Sequence, residues 1–344
     1  MIKSMSDIFK KLLILRTPGI GPAKYNTLLE KFGNLDDIVA TINPSQELRD
    51  TISDEMARAQ SLHIYYVSDQ DDSYPHVLRA TKNHPPVITV RGNLDVLGRD
   101  MVSIVGTRHA TAAGMQLVAD IAQRFAENNT VVVSGMAIGT DTAAHRGALR
   151  AVSGAGTVAV LAGGVDYIWP LENESLYWDI VKHGAIISDM PIGYKPVANN
   201  FVMRNRIVAG LSSRLILGEA DMKSGSMTTV RFASELNRQV WAIPSHPLDL
   251  RSFGPNSLIR SGVAKLCMGP SDFFQDEKKD THLKKNSKKI NDKNNLIDAL
   301  GTIPVSESVL AEIVKKSISE IKSELVVLEL GGIVRKVDGG YVLV

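Results

Sequence analysis

Short apolar runs alternate with longer stretches of helical spacing between residue 101 and about residue 274. The runs at 102–105, 130–134, 157–161, 185–188, 214–218 and 239–243 are rich in Val, Ile and Leu at consecutive rather than alternate positions. Stretches 111–127, 141–151, 173–183, 203–211 and 227–236 place apolar residues three and four apart, and a later helix falls near 255–261. Strands that are apolar on both faces and separated by helices predict a doubly wound parallel sheet, Rossmann-like and of the α/β class.

The flanks have other textures. Residues 6 to about 60 read as short helices, with the hairpin Thr17-Pro-Gly-Ile-Gly-Pro-Ala-Lys24 between helices at 7–15 and 25–32. This is half of a helix-hairpin-helix, whose turn can offer N–H groups to a DNA phosphate, or an ordinary αα-turn in a small SAM-like module. Segments 63–67 and 85–92 look like strands around a turn-rich stretch, forming a lead-in hairpin or edge extension of the main sheet. Residues 276–295 carry lysines among Asn, Asp and Ser with almost nothing apolar, so a linker is expected there. Its lysines are open to nucleic acid, but a solvated tether is the preferred reading. The last fifty residues give helices at 296–300, 305–314 and 319–330, then a hairpin at 333–344, the order of a winged helix. Its third helix has Ile318, Ile321, Leu325 and Leu328 on one side and Glu320, Lys322, Glu324 and Glu329 on the other. That acidic mix argues against major-groove reading and for a structural or protein-binding wing. The expected layout is thus 1–60 helical module, 61–275 Rossmann-like domain, 276–295 linker and 296–344 winged-helix-like module.

The chain has 344 residues, 44% hydrophobic and 22% charged, with a formal net charge of +2. That balance excludes a polybasic DNA coat and permits a local basic groove. The lone Cys267 leaves no intrachain disulfide framework or Cys-based zinc site and fits a reducing compartment. No apolar run approaches bilayer length, and Met1-Ile-Lys-Ser-Met-Ser lacks the layout of a secretory signal, so a cytoplasmic location is expected.

In such a sheet, ligands bind beyond the carboxyl ends of the strands. The small and polar loops gather there: Gly106-Thr107-Arg108, 134–145, 162–166 and 219–226. Gly106-Thr107-Arg108 runs from a strand towards a helix, so it is either a phosphate seat completed by the arginine fork or a plain bend. Lys223-Ser224-Gly225-Ser226 at a helix start is a second candidate seat, and two seats suit successive phosphates of a strand. Phe201 either stacks on a base or belongs to the core. Arg204 and Arg206 point to nearly opposite sides of their helix, so one faces the concavity while the other pairs with Glu219 or Asp189. Asp141 and His145 sit at i, i+4, where a metal pair would want a third ligand and a capping and helix-surface role needs none. Ser134-Gly135 is no nucleophile elbow, because Val132 stands where the first glycine belongs. A nucleotide hydrolase is the alternative function, with Asp166 and Glu219 as its acid/base candidates. A dehydrogenase is set aside, for Gly-x-Gly-x-x-Gly is absent after the first strand.

Asp69…Tyr74-Pro75, Pro85-Pro-Val-Ile-Thr-Val-Arg-Gly92, Ile104-Val-Gly-Thr-Arg108, the 134–145 loop, Arg204-Asn-Arg-Ile-Val-Ala-Gly-Leu-Ser212, Ser224-Gly-Ser226 and Gly254-Pro-Asn-Ser-Leu-Ile259 together resemble the DprA/Smf family. They occur in family order over about residues 65 to 265. The resemblance implies a non-catalytic DNA-processing protein of natural transformation that binds and shields incoming single-stranded DNA and loads the RecA recombinase. It also implies a homodimer formed through the Rossmann-like domain and a positive DNA pocket, with no cofactor and no metal. Carried over, the DNA-binding residues are Gly106, Thr107, Arg108, Phe201, Arg204, Asn205, Arg206, Lys223, Ser224, Gly225 and Ser226. The family's usual Ala-Arg-Gly-Ile-Asp is here Ala137-Ile138-Gly139-Thr140-Asp141, so an arginine is missing at Ile138, which would weaken that side of the pocket. Asn237-Arg238 and Pro244-Ser245 also depart from the family's Gly-Arg and Pro-Gly.

Overall fold

The computed structural model describes residues 2–274, 296–297, 299–301 and 304–344. The segment 276–295, expected to be a linker, lies outside the described residues. The chain divides into two compact units, Met1–Gln275 and Asp276–Val344.

The first unit opens with helices α1 (Ile2–Arg16), α2 (Pro22–Phe32), α3 (Leu35–Ile42) and α4 (Gln46–Ser61). Ile8, Leu12 and Leu13 of α1 and Ile52 of α4 bury their side chains together with Val87 of the sheet. Lys11 of α1 is buried too, which a charge tolerates only with partners. It donates to Ser68 Oγ at 2.7 Å and pairs with Asp69.

The strands are β1 (Ile64–Ser68), β2 (Val87–Gly92), β3 (Met101–Val105), β4 (Val131–Ser134), β5 (Thr157–Val160), β6 (Ala185–Ser188), β7 (Arg214–Leu217), β8 (Gln239–Ala242) and β9 (Lys265–Leu266). Among the described residues they form one nine-stranded sheet in the order β1-β2-β6-β5-β4-β3-β7-β8-β9. Strands β3 to β9 run parallel, and β1 and β2 pair antiparallel at the β6 edge. The lead-in hairpin is therefore an edge extension. The two-residue β9 is too short to have shown in the apolar pattern.

Helices α5 (His76–Arg79), α6 (Ala112–Glu127), α7 (Thr140–Leu149), α8 (Glu174–His183), α9 (Ala198–Gly210), α10 (Gly225–Glu235) and α11 (Phe253–Arg260) follow. The consecutive apolar residues of β3 explain why both faces need cover. Met101 and Val105 join the core beneath α9 and α10, whereas Val102 and Ile104 join the one beneath α6 and α7. Burying each such side chain contributes roughly 1.5–3 kcal/mol. Ser103, fully buried between them, donates to Val208 O of α9 at 2.7 Å. Helix α9 begins at Ala198, five positions before the start expected from periodicity, because Asn200 Oδ1 accepts from Val197 N at 2.8 Å and closes its first turn. Phe201 thus sits inside the helix. After β3 the chain moves through α6 to β4 on one side, and after β6 it returns through α9 to β7 on the other. That reversal beside β3 opens a crevice at the carboxyl ends of β3, β4 and β7.

The second unit is a winged helix. Helices Glu307–Val314 and Ile318–Leu330 precede the antiparallel hairpin of β10 (Val334–Val337) and β11 (Gly340–Leu343). Leu310, Val314, Ile321, Leu325 and Tyr341 form its core. Two expectations change here. Residues 296, 297 and 299 lie in turns rather than a helix, and Ile318 is 49% exposed instead of joining Ile321 and Leu325 inside.

Candidate nucleic-acid interface

The crevice is a cleft of about 400 Å³. All the expected site residues line it except Arg206. Three loops and the start of α9 build it.

Behind β3, Gly106 is needed for close approach. A Cβ there would lie against the Thr140 hydroxyl and 2.9 Å from Glu219 O. The turn is sewn to its neighbours: Thr107 N donates to Glu219 O at 2.6 Å, and Thr140 N donates to Thr107 O at 3.2 Å. The helix beyond it is already capped. Thr111 Oγ1 accepts from Gly114 N at 2.9 Å, and the Glu219 carboxylate accepts from Thr111 N at 2.6 Å and from the Thr111 hydroxyl. A carboxylate therefore occupies the positive end of α6. The expectation of a phosphate on that helix start is corrected accordingly: Glu219 covers it, and Arg108 is the charged residue of this loop that lines the cleft. Among the described residues its guanidinium has no hydrogen bond or ion pair. It lies over the rings of Trp169 and Phe201, 5.3 and 5.8 Å from their centroids.

The loop behind β7 differs. Ser224 caps α10, accepting from Ser226 N at 3.4 Å, and the two serine hydroxyls are 2.7 Å apart. Among the described residues no carboxylate caps this helix start, which opens into the cleft beside exposed Lys223. Lys223 makes no ion pair among the described residues. Asn205 Nδ2 ties α9 to this loop through Gly225 O at 3.3 Å.

The two arginines of α9 divide as their spacing requires. Arg206 turns away from the cleft, pairing with Asp189 at 2.6 Å and donating to Asn83 O at 3.1 Å. Of the two acids expected for that pair, Asp189 is the partner and Glu219 is not. Arg204 lies buried in the cleft floor, donating to Gly135 O at 2.6 Å and to Val160 O. Gly135 leaves the room: a Cβ there would fall 2.7 Å from the guanidinium. Burial lowers the Arg204 pKa to about 10, with nearby Arg108 adding to the fall and Asp141 opposing it.

Asp141, in the first turn of α7, accepts from Gly135 N at 3.1 Å and Ala137 N at 3.2 Å and closes the loop behind β4. Its burial pushes the carboxyl pKa up, against the pull of Arg204. His145 is fully buried rather than on the helix surface, with Nδ1 2.7 Å from Thr157 Oγ1. Burial and then Arg204 lower its pKa to about 3, so it is neutral. No group of three potential metal ligands occurs among the described residues. Asp166 pairs with Arg58 at 2.8 Å and accepts from Gly193 N at 2.6 Å, so both acids of the hydrolase alternative hold structure.

Sequence reasoning missed Trp169. It stands edge-to-face with Phe201, ring centroids 4.7 Å apart. Only the fold brings the loop behind β5 to the start of α9, so no local signal marked it.

The first unit is thus a Rossmann-like α/β domain with a switch-point cleft lined by Arg108, Lys223 and Phe201, and the second is a winged helix. The chain matches the DNA recombination-mediator protein A family over residues 65–278 and the DprA winged helix domain over residues 287–340. It belongs to that DprA/Smf family. DNA processing protein DprA of Streptococcus pneumoniae is 37% identical over 69% of this chain and 84% of its own length. Protein Smf of Escherichia coli is 30% identical over 86% of this chain and 81% of its own. The match to Smf of Synechocystis, 38% identical, spans 52% of that protein's length. The crystal structure of the S. pneumoniae protein superposes with a TM-score of 0.67 at 33% identity, covering 77% of this chain and 96% of the other. DNA processing protein A of Helicobacter pylori, whose structure describes a single-stranded DNA binding mode, gives 0.56 at 29% identity over 61% of this chain and 94% of its own.

Proposed function

We propose that this protein is a non-catalytic mediator that holds single-stranded DNA in the cleft, protects incoming strands and loads RecA during DNA-mediated transformation. The observation carrying this reading is the pair of cations, Arg108 and Lys223, on the loops behind β3 and β7, neither of which makes an ion pair among the described residues. Phosphates approach such groups without first displacing a protein carboxylate. Phe201 offers a ring where a base would stack, and Ser224, Gly225 and Ser226 offer a helix start for a second phosphate. Gly106 and Thr107 shape the turn, Arg204 supplies positive potential from the floor, and Asn205 braces α9. Arg206 acts through its pair with Asp189 rather than on DNA. The hydrolase alternative loses support because Asp166 and Glu219 are both committed to structural bonds.

The chain works as a homodimer through the Rossmann-like domain. Leu266 and Met268 expose 45% and 65% of their surface at the short edge strand β9, which suits a second copy. Among the described residues no helix is long and apolar enough to cross a membrane, and a cytoplasmic site of action fits the lone, buried Cys267. The working division is a helical module to residue 60, the DNA-binding domain to 275 and the wing from residue 296. Competition between single- and double-stranded oligonucleotides of equal length tests the reading. Preference for the single strand is expected, and equal or reversed affinity would overturn it.

A further inference from the structure

Arg108 and Lys223 are both open cations, but Arg108 alone is held. Its guanidinium lies within the range of a cation–π contact from two rings that themselves touch. The Trp169 ring comes from a well-anchored loop. Gly164 N donates to Tyr194 O at 3.0 Å, and Tyr167 N to Gly164 O at 2.9 Å. The Asp166 carboxylate accepts from Gly193 N at 2.6 Å, and Ile168 packs against the cluster of Leu176 and Tyr177. Against this fixed ring stands a long side chain with four rotatable bonds and a like charge, Arg204, beneath it. Without a seat, that repulsion and its own freedom would spread Arg108 over many rotamers.

We propose that Trp169 is a positioning residue for Arg108: its ring, with that of Phe201, fixes the guanidinium at the cleft mouth before any strand arrives. The proposal rests on the single-strand reading above, and it goes beyond that reading by naming what sets the pose of the phosphate-binding arginine. A flat cation resting on a ring keeps its in-plane N–H donors free, and those donors suit phosphate oxygens. Ordering done in the free protein is ordering that binding no longer has to supply. Lys223 has no such ring, so its ammonium is ordered only by the strand it meets.

Two measurements test this. The first uses the DNA-free protein and 15N relaxation of the Arg108 Nε–Hε group, assigned from the Arg108→Lys spectrum. Trp169→Ala should lower its order and Trp169→Phe should keep most of it. Unchanged order in Trp169→Ala would overturn the proposal whether or not the protein binds DNA. The second is a double-mutant cycle on a fluorescent single-stranded oligonucleotide, with thermal unfolding recorded for each variant. Trp169→Ala should weaken binding about tenfold in the wild type, and Trp169→Phe should restore most of that. In an Arg108→Ala background the same change should cost less than about twofold, because nothing is left to position. An equal loss in both backgrounds would mean that Trp169 contacts DNA independently, and would overturn the proposal. If the wild-type protein bound no single strand, the functional reading would fall while the relaxation result still decided the Trp169–Arg108 relation.

Discussion

Helices α6 and α10 start at the same edge of the sheet, behind neighbouring parallel strands, yet their first turns are covered differently. The start of α6 holds a protein carboxylate, Glu219, bonded to Thr111. Among the described residues the start of α10 is covered by the serine hydroxyls of Ser224 and Ser226, with Lys223 alongside. Both follow small polar loops, and a reading by loop composition treats them alike. The difference teaches that a helix start is a ligand seat only if the chain has left it uncovered. Here the loop behind β7 does both jobs, since its first residue closes α6 and its last three open α10.

The largest expected effect falls on the floor that the two starts share. Arg204→Ala should cost about 2–4 kcal/mol of stability, because it leaves the buried carbonyls of Gly135 and Val160 without their charged donor and removes the positive potential near Asp141. Urea denaturation reads this directly, and a loss below about 1 kcal/mol would show that the arginine is less integral than its burial implies. Glu219→Ala should then cost about 1.5–3 kcal/mol by removing charge-assisted bonds to Thr111, while single-strand affinity holds or rises once that carboxylate is gone. Reduced affinity in a folded Glu219→Ala protein would break the contrast between the two starts. Ser224→Ala should cost about 1 kcal/mol as a lost cap and weaken the single strand only a few-fold. At the small end, Ile138→Arg should tighten binding by roughly threefold to tenfold, one phosphate contact's worth, in fluorescence anisotropy at low salt.

Much of the fold could be read from the chain because runs such as Val131-Val-Val133 are apolar at consecutive positions, as a strand covered on both faces requires. The cleft could be placed for the same reason: once strands and helices alternate, the loops at 106–108, 134–145 and 219–226 must share an edge. What could not be read was how side chains divide their bonds within that edge. Helical spacing puts Arg204 and Arg206 on opposite sides, but only packing decides that Asp189 takes Arg206 while two carbonyls take Arg204. Glu219 looked like an acid/base candidate because an acid behind a strand can serve catalysis or a cap equally, and sequence shows neither Thr111 nor its distance. Trp169 lay hidden because its partners are Phe201, on another element, and Arg108, on the loop behind a different strand.

The most direct test is a salt titration of single-stranded oligonucleotide binding by the wild-type protein, Arg108→Ala and Lys223→Ala. Each substitution is expected to weaken binding about tenfold and to reduce the slope of log affinity against log salt by about 0.7, the loss of one phosphate contact on a single strand. Wild-type affinity and slope in both variants would contradict the assignment of this cleft to DNA.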